Sequence, residues 1–172
     1  MALRGLQNTT IASVDTARLL ILRLGATYVA LPAVGVHGIL TRSEAADGQA
    51  VTAAGVVYPP VDLAERLSLA ADFSGMEMRT VLYSTGRSQG AIPVEQVVGL
   101  ADVERKDCFP LPPQFQRDER GWFGGMMLHR DQLVLILNPA WALGESDDEG
   151  VASIGLAGQM CGATSAASGG SC

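Results

Sequence analysis

From Leu19 onward the chain alternates short stretches of strand-type residues with turn signals, and this pattern constrains the fold more than any other feature. "LLILRLG" and "TYVALPA" flank a tight Gly25-Ala26 turn and read as a hairpin. "AVTAAGVVY" is a further extended stretch, and "MRTVLYSTG" and "GAIPVEQVVGLADVE" surround a polar turn. "GWFGGMML" and "QLVLILN" form another hairpin through "HRD". Glycines 55, 99, 124 and 125 lie within or beside these stretches, where they mark bulges or sharp bends of the kind small barrels need. The expected class is mainly β.

"VVYPPVDLAERL" is the one place where a strand pattern turns abruptly into a helix pattern. Pro59 and Pro60 have no backbone N–H, so a central ladder cannot run through them. Asp62 then stands as the N-cap of a short helix over "LAERLSLA", with Glu65 three residues on as its capping-box partner. Asp62 is read as architecture, not as a catalytic carboxylate.

The folded part is expected between Ala17 and Leu143. Residues 1–17 form a polar lead, 18–143 the domain, and 144–172 an acidic linker with a Gly/Ser/Ala-rich tail. Residues 151–159 could add one small element. With 48% hydrophobic and 17% charged residues in 172, the chain has the composition of one soluble domain with a real core. Its 12 basic and 18 acidic residues leave a net charge of −6 and no basic cluster, which argues against nucleic acid as a partner. The apolar start "LLILRL" is short and bracketed by Arg18 and Arg23, so it reads neither as a leader nor as a membrane insertion. Cys108, Cys161 and Cys172 have no metal-ligand spacing and read as cytosolic free thiols.

Catalytic signals are few. "GRSQG", Gly86 to Gly90, matches the pattern of a hydrolase nucleophile elbow around Ser88, with Asp102 and His129 as paper partners. An elbow needs a helix right after the serine, yet Pro93 and the β-branched residues of "AIPVEQVV" oppose one, so a hairpin turn is expected. His37 and His129 are isolated, and "SDDE" lacks the spaced ligands of a calcium loop. No catalytic residue, metal site or cofactor is expected, and a small β domain of this kind works through its surface.

Four blocks in order resemble the CheW-like domain family of chemotaxis adaptors. They are "LLILRLGATYVALPAVGVHGIL", "AVTAAGVVYPPVDLAERL", "GAIPVEQVVGLADV" and "WFGGMMLHRDQLVLILNPAWAL", spanning Leu19 to Leu143. The resemblance implies two packed five-stranded SH3-like β-barrel subdomains with short helices. It also implies a non-catalytic, cytoplasmic scaffold recruited to membrane receptor complexes. Its implied partners are a CheA-like histidine kinase and a methyl-accepting chemoreceptor-like protein.

The same resemblance implies a partner surface. Val36 and Ile39 fall at the groove between barrels, Ala54, Gly55 and Val56 on the first barrel's exposed edge, and Val97, Gly99 and Leu100 on the second. Two family charges are absent: Gly38 stands at the glutamate position and Ala54 at the arginine position. Their loss removes electrostatic selectivity at that surface. It leaves open a divergent bridging adaptor or a regulator of motility or pilus function that holds a single partner.

Overall fold

The computed structural model describes residues 15–45 and 48–145. Among the described residues eleven strands run in chain order: β1 (Thr16–Leu24), β2 (Thr27–Pro32), β3 (Val36–Thr41), β4 (Val51–Ala53), β5 (Val56–Tyr58), β6 (Arg79–Ser84), β7 (Gln89–Val94), β8 (Gln96–Glu104), β9 (Cys108–Phe109), β10 (Phe123–His129) and β11 (Gln132–Leu137). Two one-turn helices join them, α1 (Leu63–Arg66) and α2 (Pro139–Ala142). The mainly β expectation holds. The expectations for the early lead, for "SDDE" and for residues 151–159 lie outside the described residues.

β1 and β2 pair antiparallel from Leu19–Pro32 to Leu24–Thr27 around the Gly25-Ala26 turn. Gly25 has φ +60°, and a Cβ on it would lie 2.3 Å from the Ala70 carbonyl oxygen, so the turn tolerates no side chain there. The lead is shorter than its sequence reading, because Thr16 and Ala17 already pair with Glu104 and Val103.

The strands form a six-stranded sheet ordered β8-β1-β2-β11-β10-β9, a three-stranded sheet β3-β6-β7 and the β4–β5 hairpin. None of these ladders closes on itself, so the fold is mainly β with open sheets, a coarser result than two closed five-stranded barrels. The proline pair explains part of the opening. Just beyond β5 the chain bridges β7 at Ala91, whose N–H donates to the Pro59 carbonyl and whose carbonyl accepts from Val61 N–H. Pro59 and Pro60 have no donor to extend that contact into a ladder.

The residues from Gly90 to Glu104, which read as one extended run, break at Glu95. Its N–H donates to the Arg23 carbonyl and its carboxylate lies 3.7 Å from the Arg23 guanidinium, so the chain crosses here from one sheet to the other. The helix after Asp62 is also shorter than expected: it stops at Arg66, and Ser68 takes φ +55° to turn the chain back. The Asp62 cap is present, its carboxylate accepting the Glu65 N–H at 2.9 Å, while Glu65 makes no return bond among the described residues. Asn138 caps α2, a helix the sequence reading missed, and the Arg66 guanidinium lies 4.9 Å above the Trp141 ring to tie the two helices together.

The core has three parts. The largest lies between the two main sheets, where Leu20, Leu22, Leu24, Val29 and Leu31 meet Val81, Tyr83, Ile92 and Val94. Leu19, Ile21, Met127, Val134 and Ile136 pack on the other face of the six-stranded sheet. Tyr58, Leu82 and Ala91 form a small core under the β4–β5 hairpin. β1 is buried on both faces, which is why it reads as continuous Leu/Ile rather than as alternation.

Candidate functional site

β3 and β8 are edge strands, and each carries a bulge at the point where the sequence reading placed partner contacts. On β3, Val36 opposes Tyr83 and Gly38 opposes Leu82, leaving His37 as the extra residue. On β8, Leu22 opposes Val97 and Ile21 opposes Gly99, leaving Val98 extra. In an unbroken strand, residues three apart point to opposite faces. Each bulge cancels that rule, because an inserted residue shifts the alternation by one.

Directly opposed residues share a face. Val36 and Ile39 therefore share the face of Tyr83 and Val81, and Val97 and Leu100 share the face of Leu22 and Leu20. Those four partners all belong to the core between the sheets. Val36 and Val97 pack against that core, whereas Ile39 remains 42% and Leu100 59% exposed. The outcome is two apolar rims, one on the edge of each sheet, each with a seated valine and an uncovered larger residue.

The rims flank one end of the same strand. Leu19 and Leu20 lie between Pro32 and Leu31 on one side and Ala101 and Leu100 on the other. From Pro32 the chain makes the 3-10 turn Ala33–Gly35 and enters β3, and the buried Tyr83 hydroxyl donates to the Pro32 carbonyl at 2.9 Å to hold that crossing. Val34, at the tip of the turn, is 92% exposed. It is an apolar side chain beside the β3 rim that the sequence reading did not single out.

Ala54 and Gly55 form the exposed two-residue turn between β4 and β5, with φ +50° and +79°. Positive φ at both central residues defines a type I′ turn, which matches strand twist but strains any residue bearing a Cβ. Gly55 is thus a turn residue rather than a bulge. Ala54→Asn is expected to raise stability by about 0.5–1 kcal/mol, since Asn tolerates the left-handed region; thermal unfolding will show it as an increase in Tm. Val56, next to the turn, is 39% exposed. Gly38 lies opposite Leu82, whose side chain a Cβ there would meet at 3.6 Å.

The hydrolase reading fails on geometry. Ser88 sits in the turn between β6 and β7, its N–H donating to Thr85 Oγ1 at 3.1 Å, and a strand follows it where an elbow needs a helix. Ser88 lines a cleft with Asp62, Glu65 and Arg87, while Asp102 and His129 line a separate one with Asp107 and Phe109. Arg18 engages both carboxylate oxygens of Asp102, at 2.7 and 3.0 Å, and holds that carboxyl below its ordinary range. His129 ends β10 rather than lying in the turn, which consists of Arg130 and Asp131 alone. Cys108 is buried; Cys161 and Cys172 lie outside the described residues. Among the described residues no three His, Cys, Asp or Glu side chains converge as for a metal, and no helix is long and apolar enough to cross a membrane.

Residues 18–146 match the family described as CheW-like domain. Among solved structures the chain is similar to the crystal structure of the scaffolding protein TtCheW from Thermoanaerobacter tengcongensis, with TM-score 0.63 and 14% identity over 79% of this chain and 94% of that one. No curated protein sequence matches.

Proposed function

The chain belongs to the CheW-like domain family, and on that premise we propose that it is a non-catalytic adaptor of a chemosensory-type signalling system. It couples a chemoreceptor-like protein to a CheA-like histidine kinase, and its two sheet systems correspond to the family's two SH3-like barrels. The observation that supports this reading is the pair of bulged edge strands, which turn Val36 with Ile39 and Val97 with Leu100 toward the core between the sheets and leave Ile39 and Leu100 uncovered at its rims. Uncovered apolar side chains beside seated ones are what a partner's hot spot needs. The neutral Ala54-Gly55 turn and Gly38 put the specificity into shape rather than charge.

Ile39→Asp and Leu100→Asp test it in pull-down and titration with a kinase regulatory domain and a receptor tip. Each is expected to weaken binding by about ten- to a hundredfold. Because both side chains are half exposed, each should cost less than about 1 kcal/mol of stability. Retained affinity in both variants, or failure of every such partner to bind the unaltered chain, sinks the adaptor reading.

The missing charges at positions 38 and 54 favour a second reading, a regulator that holds only one of the two partners. Separate affinities for kinase and receptor fragments distinguish it from bridging. Ser88 is expected to stay unlabelled by fluorophosphonate probes, and labelling that disappears in Ser88→Ala would restore the hydrolase.

A further inference from the structure

Within the three-stranded sheet, β3 lies at one edge and β7 at the other. The β4–β5 hairpin forms no ladder with that sheet; just beyond it Pro60 bridges Ala91 at the β7 edge, and the Gln89 side-chain amide donates to the Val57 carbonyl at 3.2 Å. β3 and β5 thus share no ladder, yet they meet across the small core in which Leu40, Val51 and Ala53 pack around Tyr58, Leu82 and Ala91. A polar contact also spans the junction. His37 Nδ1 lies 2.8 Å from Tyr58 Oη, and the rings meet edge to face at 6.1 Å between centroids. Tyr58 is 3% exposed, and a hydroxyl so deeply placed needs a partner.

The residue that supplies this partner is the one the β3 bulge inserts. His37 stands between Val36 and Ile39, and Tyr58 ends the strand that begins at Val56. We propose that the His37–Tyr58 pair is a clasp that holds the β3 rim and the β4–β5 turn in one fixed relation. Val36 and Ile39 then present together with Ala54–Val56 as a single surface to a single partner. His37 and Tyr58 act through these neighbours as positioning residues. The part of the proposal that concerns binding rests on the adaptor reading; the clasp itself does not.

The test compares the full-length chain with Tyr58→Phe, His37→Leu, the double variant and His37→Asn, whose side-chain oxygen can stand near the Nδ1 position. Hydrogen exchange is read across all strands, and affinity is read with a CheA-like kinase regulatory domain and a receptor tip. Tyr58→Phe and His37→Leu are each expected to speed exchange by about three- to tenfold in both 36–41 and 51–58, the range that loss of one net hydrogen bond gives. β1 and β2 should be unmoved. The double variant should be no worse than either single, and His37→Asn should restore most of the protection. Affinity should fall in step with exchange for one of the two probes.

Faster exchange confined to the substituted strand, or additive effects in the double variant, overturns the clasp. Exchange that rises in both strands while both affinities stay unchanged overturns its role in binding. If the unaltered chain binds neither probe, the adaptor reading fails, and the exchange experiment still decides the clasp.

Discussion

Tyr83→Ala is expected to lower the stability of the domain by about 3–5 kcal/mol, the range for removing a fully buried aromatic ring. Tyr83 is 1% exposed and sits in the core between the sheets, directly opposite Val36. Its hydroxyl donates to the Pro32 carbonyl at 2.9 Å, so the same side chain fills the core and anchors the crossing from β2 to β3. Urea unfolding monitored by circular dichroism reads the loss. Tyr83→Phe keeps the ring and drops only the hydrogen bond, at about 1 kcal/mol.

The two variants also separate in alkali. Burial pushes the Tyr83 phenol above its ordinary value. The unfolded chain therefore releases this proton first, and the folded chain retains it. Tyr83 contributes fully below about pH 10, and its contribution falls as pH rises further, by at most about 1.4 kcal/mol per unit. Tyr83→Phe should flatten that part of the stability profile. An unchanged alkaline slope would show that Tyr83 does not carry it.

Gly35→Ala should cost about 2–3 kcal/mol, the upper part of the range for overpacking a close-packed site. A Cβ at residue 35 would stand 2.4 Å from the Tyr83 ring and 2.7 Å from the Ser84 carbonyl oxygen. The ring cannot withdraw without losing its place in the core, and the carbonyl belongs to β6. Because Gly35 immediately precedes Val36, the displacement should also loosen the β3 rim and weaken partner binding beyond what stability predicts. Combined with Tyr83→Ala, the two costs should add to less than their sum, since the cavity left by the ring accepts the new methyl. Strict additivity would show that the clash is not with Tyr83.

The local features legible in the chain are those with a local cause. The Gly25-Ala26 hairpin follows from a glycine between two strand-type runs, and the end of β5 follows from two residues with no N–H. The Asp62 cap follows from its place ahead of Leu63, and Ser88 fell in a turn because Pro93 and its neighbours suit a strand. Pro93 itself is tolerated because β7 is an edge of its sheet.

The misses have non-local causes. Glu95 looks like any residue of an extended run until its N–H and carboxylate meet Arg23, seventy-two positions earlier. The helix after Asp62 has the apolar spacing for two turns, but Leu67 and Leu69 are drawn into the core and Ser68 reverses the chain. α2 was unmarked by any long amphipathic pattern, because a single turn capped by Asn138 has no room for one.

By itself, then, the sequence determined that the fold is mainly β, where β5 stops, which residue caps the helix, and which family the ordered blocks belong to. These depend on side-chain period, on missing donors and on capping, all set within a few residues. It also named Val36, Ile39, Val97 and Leu100, but not how two residues three apart on a strand could face the same way. Only the tertiary structure decided that, through bulges at His37 and Val98. A bulge is a relation between two strands, and the partners that define these two, β6 and β1, lie about forty to eighty residues away along the chain.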